Sequence, residues 1–118
     1  MRFIRLATLS LALLAGAGSV HAHAFLDHAS PLVGSTVTSA PSEVRMWFTQ
    51  ALEPRFTAAQ LRSSAGAVVA SGGVDPADPK QMVIQVHGLP PGKYKVFWKV
   101  LSVDTHRTEG SFGFEVKP

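Results

Sequence analysis

An all-β fold is what this 118-residue sequence predicts: one small Greek-key β-sandwich or barrel of immunoglobulin-like size, with about seven short strands. Three observations carry that expectation. Apolar and polar residues alternate in short runs, clusters of Gly, Pro and Asp punctuate those runs, and nothing after residue 25 repeats at a helical period. The chain shows no internal repeat and no linker, so one domain is expected.

The elements follow in order. Glu43–Gln50 (EVRMWFTQ) alternates and sets Val44, Met46 and Phe48 on one side. TAAQLRSS and AVVAS are weaker strands, separated by Ala65-Gly66. GGVDPADPK (Gly72–Lys80) reads as a loop rich in turn residues, after which QMVIQVHG resumes a strand. Pro91-Gly92 then turns the chain into the clearest strand, with Tyr94, Val96, Trp98 and Val100 facing one way and Lys95, Phe97 and Lys99 the other. THRTEG connects it to a last strand, SFGFEV. Trp47, Phe48, Trp98 and Phe114 are expected in or beside the core.

Residues 1–22 are set apart as a secretory signal peptide. Arg2 and Arg5 form its positive start, Leu6 to Ala17 its apolar run, and small residues its exit. Spanning a bilayer takes about 20 apolar residues, more than this run provides. The small-x-small rule allows a cut after Ala22, leaving His23 first, or after Ala24, leaving Phe25 first. Losing Arg2 and Arg5 reduces the 11 Lys and Arg to 9 against 8 Asp and Glu, a net charge of +1. No basic run is interleaved with aromatics, which argues against a nucleic-acid surface. The chain has no cysteine, so disulfides, thiolate nucleophiles and blue-copper centres are all excluded.

The histidines carry the chemistry. If His23 leads the exported chain, its α-amine and imidazole supply two nitrogens. Asp104 and His106 stand two apart in SVDTHRTEG, and in an extended chain they share a face and can grip one cation. The competing reading is an Asx-type turn, with Asp104 bonded to nearby backbone and His106 merely exposed. Three nitrogens and one oxygen in a tetragonal set suit Cu(II), although Zn(II) could use the same ligands tetrahedrally. His28 stands close enough in sequence to swing toward such a site, whereas His87 reads as a surface residue and His21 leaves with the signal.

Specific motifs run through the chain. They are His23 directly after a signal cut, a P…G opening at Pro31–Gly34, P-x-x-V-x-M-x-F over Pro41–Phe48, DPKQMVI, LPPGKYKVFWKV, SVDTHRTEGSFGFEV and a basic C-terminus. In these the sequence resembles the CopC family of periplasmic copper-binding proteins over residues 23–118. The resemblance implies a cupredoxin-like Greek-key barrel and the cut after Ala22. It also implies Cu(II) held by His23 with its amine, Asp104 and His106, and a partner of the CopD type, an inner-membrane copper transport protein. Two departures stand out. Some members hold Cu(I) in a methionine-rich loop, but the stretch from about Gln60 to Val83 has only Met82, so no Cu(I) site is expected. Some members also carry a carboxylate near the site where this chain has Gln50.

Three functions follow from these residues. The first is an exported, monomeric Cu(II) buffer or carrier for copper homeostasis and resistance, and not an enzyme. The second is a copper-brace oxidative enzyme, since an N-terminal histidine with a second imidazole also builds that centre. The third is a metal-free immunoglobulin-like interaction module, which accounts for the strands and ignores the histidines.

Overall fold

The computed structural model describes residues 24–118. The signal peptide expected at residues 1–22, the cut after Ala22 and His23 lie outside the described residues. Eight strands form one continuous sheet: β1 (Leu26–Ser30), β2 (Thr36–Val37), β3 (Glu43–Phe48), β4 (Ala58–Ser63), β5 (Val68–Asp75), β6 (Asp78–Gln85), β7 (Gly92–Leu101) and β8 (Arg107–Val116). A short 3-10 turn, Pro54–Phe56, precedes β4, and the described residues contain no α-helix. The all-β expectation holds, with eight strands rather than about seven.

The sheet order is β1-β3-β6-β5-β4-β7-β8-β2. Strands β4, β5 and β6 form a meander, and β7 returns to lie beside β4, which is the Greek-key arrangement. All neighbours are antiparallel except β2, which runs parallel to β8 at one edge. The sheet curls around one core, because β3, β4, β6, β7 and β8 bury alternate side chains into the same cluster, against which Ala70 and Val74 of β5 pack. β3 contributes Val44, Met46 and Phe48, β4 Ala59 and Leu61, and β6 Met82 and Ile84. β7 contributes Tyr94, Val96, Trp98 and Val100, and β8 Phe112, Phe114 and Val116. Trp98 meets Phe48 edge to face at 5.2 Å, and its indole lies directly over Gly110.

Three expectations need correction. The segment Gly72–Lys80 is mostly strand, because β5 runs to Asp75 and β6 starts at Asp78, leaving only Pro76 and Ala77 in the turn. The two aspartates that signalled a loop cap this tight hairpin, accepting the Ala77 amide at 2.8 Å and the Lys80 amide at 3.0 Å. THRTEG is a connection only at Thr105 and His106, since β8 begins at Arg107 and its ten residues pair with β7 throughout. Trp47 is half-buried on the outer face, while its neighbours Met46 and Phe48 point inward.

Outside the core, Arg45 ties three strands together. Its guanidinium donates to Glu43 at 2.8 Å, to Asp75 at 2.6 Å and to Gln81 at 2.9 Å. This guanidinium holds both carboxyls below their usual range. Depressed carboxyl values stabilise the fold above the free-carboxyl range, and that contribution fades as pH falls through the lowered values. Arg45→Met should therefore flatten the acid limb of stability against pH, measured by urea unfolding from neutral to acid. Gly72 packs against β6 so closely that a Cβ there would lie 2.1 Å from the Val83 carbonyl oxygen. Gly72→Ala should cost about 1–3 kcal/mol or more in urea melts, as overpacking does. Gly66→Ala, where a Cβ meets nothing within 4 Å but φ is +87°, should cost less.

Candidate metal centre

The β7–β8 hairpin ends in a five-residue connection, Ser102 to His106, and Asp104 and His106 belong to it. The Thr105 amide donates to the Ser102 carbonyl at 2.8 Å, closing a β-turn, and the Ser102 amide donates to the His106 carbonyl at 2.9 Å, closing the hairpin. Thr105 completes the turn at φ +72°, a left-handed conformation that a β-branched residue adopts at some cost. The strand thus stops at Leu101, and Asp104 and His106 meet because the chain turns back, not because an extended strand continues. Asp104 Oδ1 lies 3.3 Å from His106 Nδ1, with both side chains partly open to solvent. The turn is closed by backbone hydrogen bonds rather than by the Asp104 side chain, and the carboxylate and imidazole meet beside it.

Ser102 organises the pair. It is fully buried, its hydroxyl donates to Asp104 Oδ1, and it receives the His106 amide at 3.3 Å. That hydroxyl, aided by His106, holds the Asp104 carboxyl below the ordinary aspartate range, so Asp104 stays an anion further into acid. The loop is stitched to the rest of the sheet through the Leu52–Ser102 bridge and through the Val103 amide, which donates to the Ala51 carbonyl at 3.1 Å.

The start of the described chain comes to the same place. Thr108, two residues beyond His106, donates its hydroxyl to the Ala24 carbonyl at 2.7 Å, across 84 positions of sequence. Ala24 is fully buried, and Phe25 is fastened on its other side, its amide donating to Thr49 Oγ1 at 3.0 Å and its carbonyl accepting the Thr49 amide at 2.9 Å. The chain therefore enters the fold between the end of β3 and the start of β8. Gln50 sits in the bend between Thr49, which binds Phe25, and Ala51, which binds Val103.

The other candidates sit elsewhere. His28 lies on β1 across from Trp47, its ring stacked on the indole at 4.4 Å and its Nδ1 2.7 Å from Asp27. His87 is exposed after the end of β6. Met46 and Met82 face each other across β3 and β6, both fully buried in the core. Among the described residues no cluster of three or more His, Asp or Glu forms, and Asp104 and His106 meet as a pair.

Sequence reasoning passed over Ser102 and Thr108. A serine two residues before an aspartate is a local signal for a hydroxyl–carboxylate bond. The Thr108 contact has no local signal, because its partner is 84 positions away. If Ser102 sets the Asp104 charge, Ser102→Ala should move the Asp104 titration upward toward the ordinary aspartate value. Carboxyl chemical shifts followed against pH in the metal-free protein measure this.

Comparison with known proteins gives consistent matches. The CopC domain matches residues 26–117. The chain is 34% identical over 102 residues to Protein YobA of Escherichia coli (strain K12), covering 84% of this chain and 82% of that protein. Among solved structures, CopC from Methylosinus trichosporium OB3b superposes with a TM-score of 0.76 at 31% identity, covering 81% of this chain and 95% of that one. PcoC, a methionine-rich copper resistance protein from Escherichia coli, gives a TM-score of 0.72 at 35% identity, covering 81% of this chain and all 100% of that one.

Proposed function

We infer the function from the premise that this chain belongs to the CopC family, whose domain spans residues 26–117. It is thereby a copper-binding protein of the copper-resistance class, and not an enzyme. Our finer proposal is that it holds one Cu(II) ion in the periplasm, as cargo to be buffered or carried. The ligands would be the imidazole and free α-amine of His23, left first by a cut after Ala22, together with Asp104 and His106. On this reading the protein works as a monomer, and a CopD-type membrane protein is its exchange partner.

The observation that supports this most strongly is the Thr108–Ala24 hydrogen bond of 2.7 Å. It brings the chain entry next to the hairpin that carries Asp104 and His106. Consecutive Cα atoms lie about 3.8 Å apart, so a mature chain that began one residue ahead of Ala24 would start within reach of that anchor. The donor set is suited to the oxidised ion: three nitrogens and a carboxylate oxygen are borderline to hard ligands, and Cu(II) tops the divalent affinity order for such sites. Ser102 holds the Asp104 carboxyl below the ordinary aspartate range, which favours the anionic form that a cation binds. The described methionines are buried, which leaves their thioethers packed against core side chains rather than exposed to a soft ion.

Titration of the exported protein with Cu(II) tests the proposal. One tight site is expected, and Asp104→Ala or His106→Ala should each weaken it about tenfold or more, a loss of about 1.4 kcal/mol. Unchanged affinity in both variants removes these residues from the site. Retaining one extra residue ahead of His23 should also weaken binding, because the chelating amine becomes a peptide nitrogen. Equal affinity in that extended form would falsify the N-terminal ligand.

A further inference from the structure

The outward face of β4 and β7 carries a cationic surface that copper binding does not use. Alternation along β7 turns Lys93, Lys95, Phe97 and Lys99 outward, opposite the buried Tyr94, Val96, Trp98 and Val100. The register then sets Arg62 of β4 across from Lys95, and Gln60 across from Phe97. The Arg62 guanidinium lies 4.7 Å from the Phe97 ring centroid and the Lys95 ammonium 5.9 Å from it. This ridge separates two clefts of about 280 and 300 Å³. Arg62, Lys93 and Lys95 line the first, Gln60, Arg62 and Lys99 the second, and no carboxylate lines either.

Such an arrangement works against the isolated fold. Two cations directly across neighbouring strands repel each other, as Arg62 and Lys95 do here. Among the described residues, none of these four cations forms an ion pair. The nearest acids in register, Glu115 across from Lys93 and Glu109 across from Lys99, sit at the two ends, while Lys95 and Phe97 face Gly113 and Ser111. Elsewhere on the outer face the chain does neutralise its cation, since Arg45 is fastened to Glu43 and Asp75. At the centre of the β4–β7 face Arg62 and Lys95 have no carboxylate across from them, and only the Lys93 and Lys99 ends face one.

We propose that this face docks an acidic, extended segment of a partner protein, whose carboxylates enter the two clefts on either side of the Arg62–Phe97 ridge. The span from Lys93 to Lys99 is six strand residues, roughly 20 Å at about 3.3 Å each, so the occupant needs several carboxylates along its length. Phe97, 38% exposed at the centre, gives that segment an apolar contact between the charges. A planar lipid surface would rest on the ridge and leave the clefts unfilled, whereas protruding Asp and Glu side chains fill them. Both β4 and β7 are interior strands of the sheet, so the contact runs through side chains and not by adding a strand at an edge.

A fluorescent peptide of alternating Asp and Gly residues, about 20 Å long, serves as the probe for anisotropy titration of the exported protein. The titration is run at low and at physiological salt, with and without Cu(II). Binding that weakens as salt rises, with or without copper, is expected. Arg62→Gln with Lys95→Gln should lower affinity about fivefold or more. The same charge removed elsewhere, Lys80→Gln with Lys117→Gln, should lower it far less. Circular dichroism of both double variants checks that the sheet is intact. No peptide binding, or equal loss in the two double variants, overturns the proposal. So does tighter binding of phosphatidylglycerol vesicles, or of inorganic phosphate, at the same residues.

Discussion

Two hydroxyl hydrogen bonds define the geometry on which the proposed metal centre depends. Ser102, buried at the end of β7, holds Asp104 and receives the His106 amide, so the hairpin tip has one arrangement of carboxylate and imidazole. Thr108, at the start of β8, holds the Ala24 carbonyl and so fixes where the chain enters the fold. Thr108 sits on the longest ladder of the sheet, ten paired residues from Gly92–Val116 to Leu101–Arg107, and Ser102 follows directly after its last β7 residue. A site mounted on paired strands keeps its shape better than one mounted on free loops. The left-handed Thr105 fits the same picture: a backbone conformation that costs energy persists because the bonds at Ser102 on either side of it leave no alternative.

The balance of donors follows from what the fold does with each residue type. The sheet buries both described methionines to fill its core and keeps the Asp104–His106 carboxylate–imidazole pair at an open tip. A chain built this way presents oxygen and nitrogen to solvent and withholds sulfur. The related PcoC is described as methionine rich, whereas this chain has three methionines in all. The same sheet thus carries different methionine contents, and donor type is what distinguishes one ion or oxidation state from another.

Much of the sheet was legible where alternation is clean. In β7, Tyr94, Val96, Trp98 and Val100 face the core as their spacing demands, and β3 behaves likewise through Val44, Met46 and Phe48. Legibility failed where local chemistry imitates another structure. In β1 a bulge between Leu26 and His28 breaks the period-2 pattern, so the strand leaves no alternating trace. Around Asp75 and Asp78, the residues that advertise a long loop instead cap a tight turn. Asp104 and His106 were visible as candidates from their spacing, yet the reason they meet is a turn closed through Ser102, which the spacing does not reveal. The outward cations of β7 were likewise plain as an alternating face. Their juxtaposition with Arg62 needed the register of β4, a contact between distant segments.

The central claim is that one cupric ion sits between the chain entry and the β7–β8 tip. Paramagnetic line broadening by Cu(II) in amide spectra of the exported protein tests it most directly, because the unpaired electron erases signals by proximity alone. The account predicts that substoichiometric Cu(II) first removes the amides of Ala24 and Phe25 together with those from Asp104 to Thr108, while the His28–Trp47 region and His87 keep theirs. Loss beginning around His28 or His87, with the Asp104–Thr108 signals intact, would contradict it.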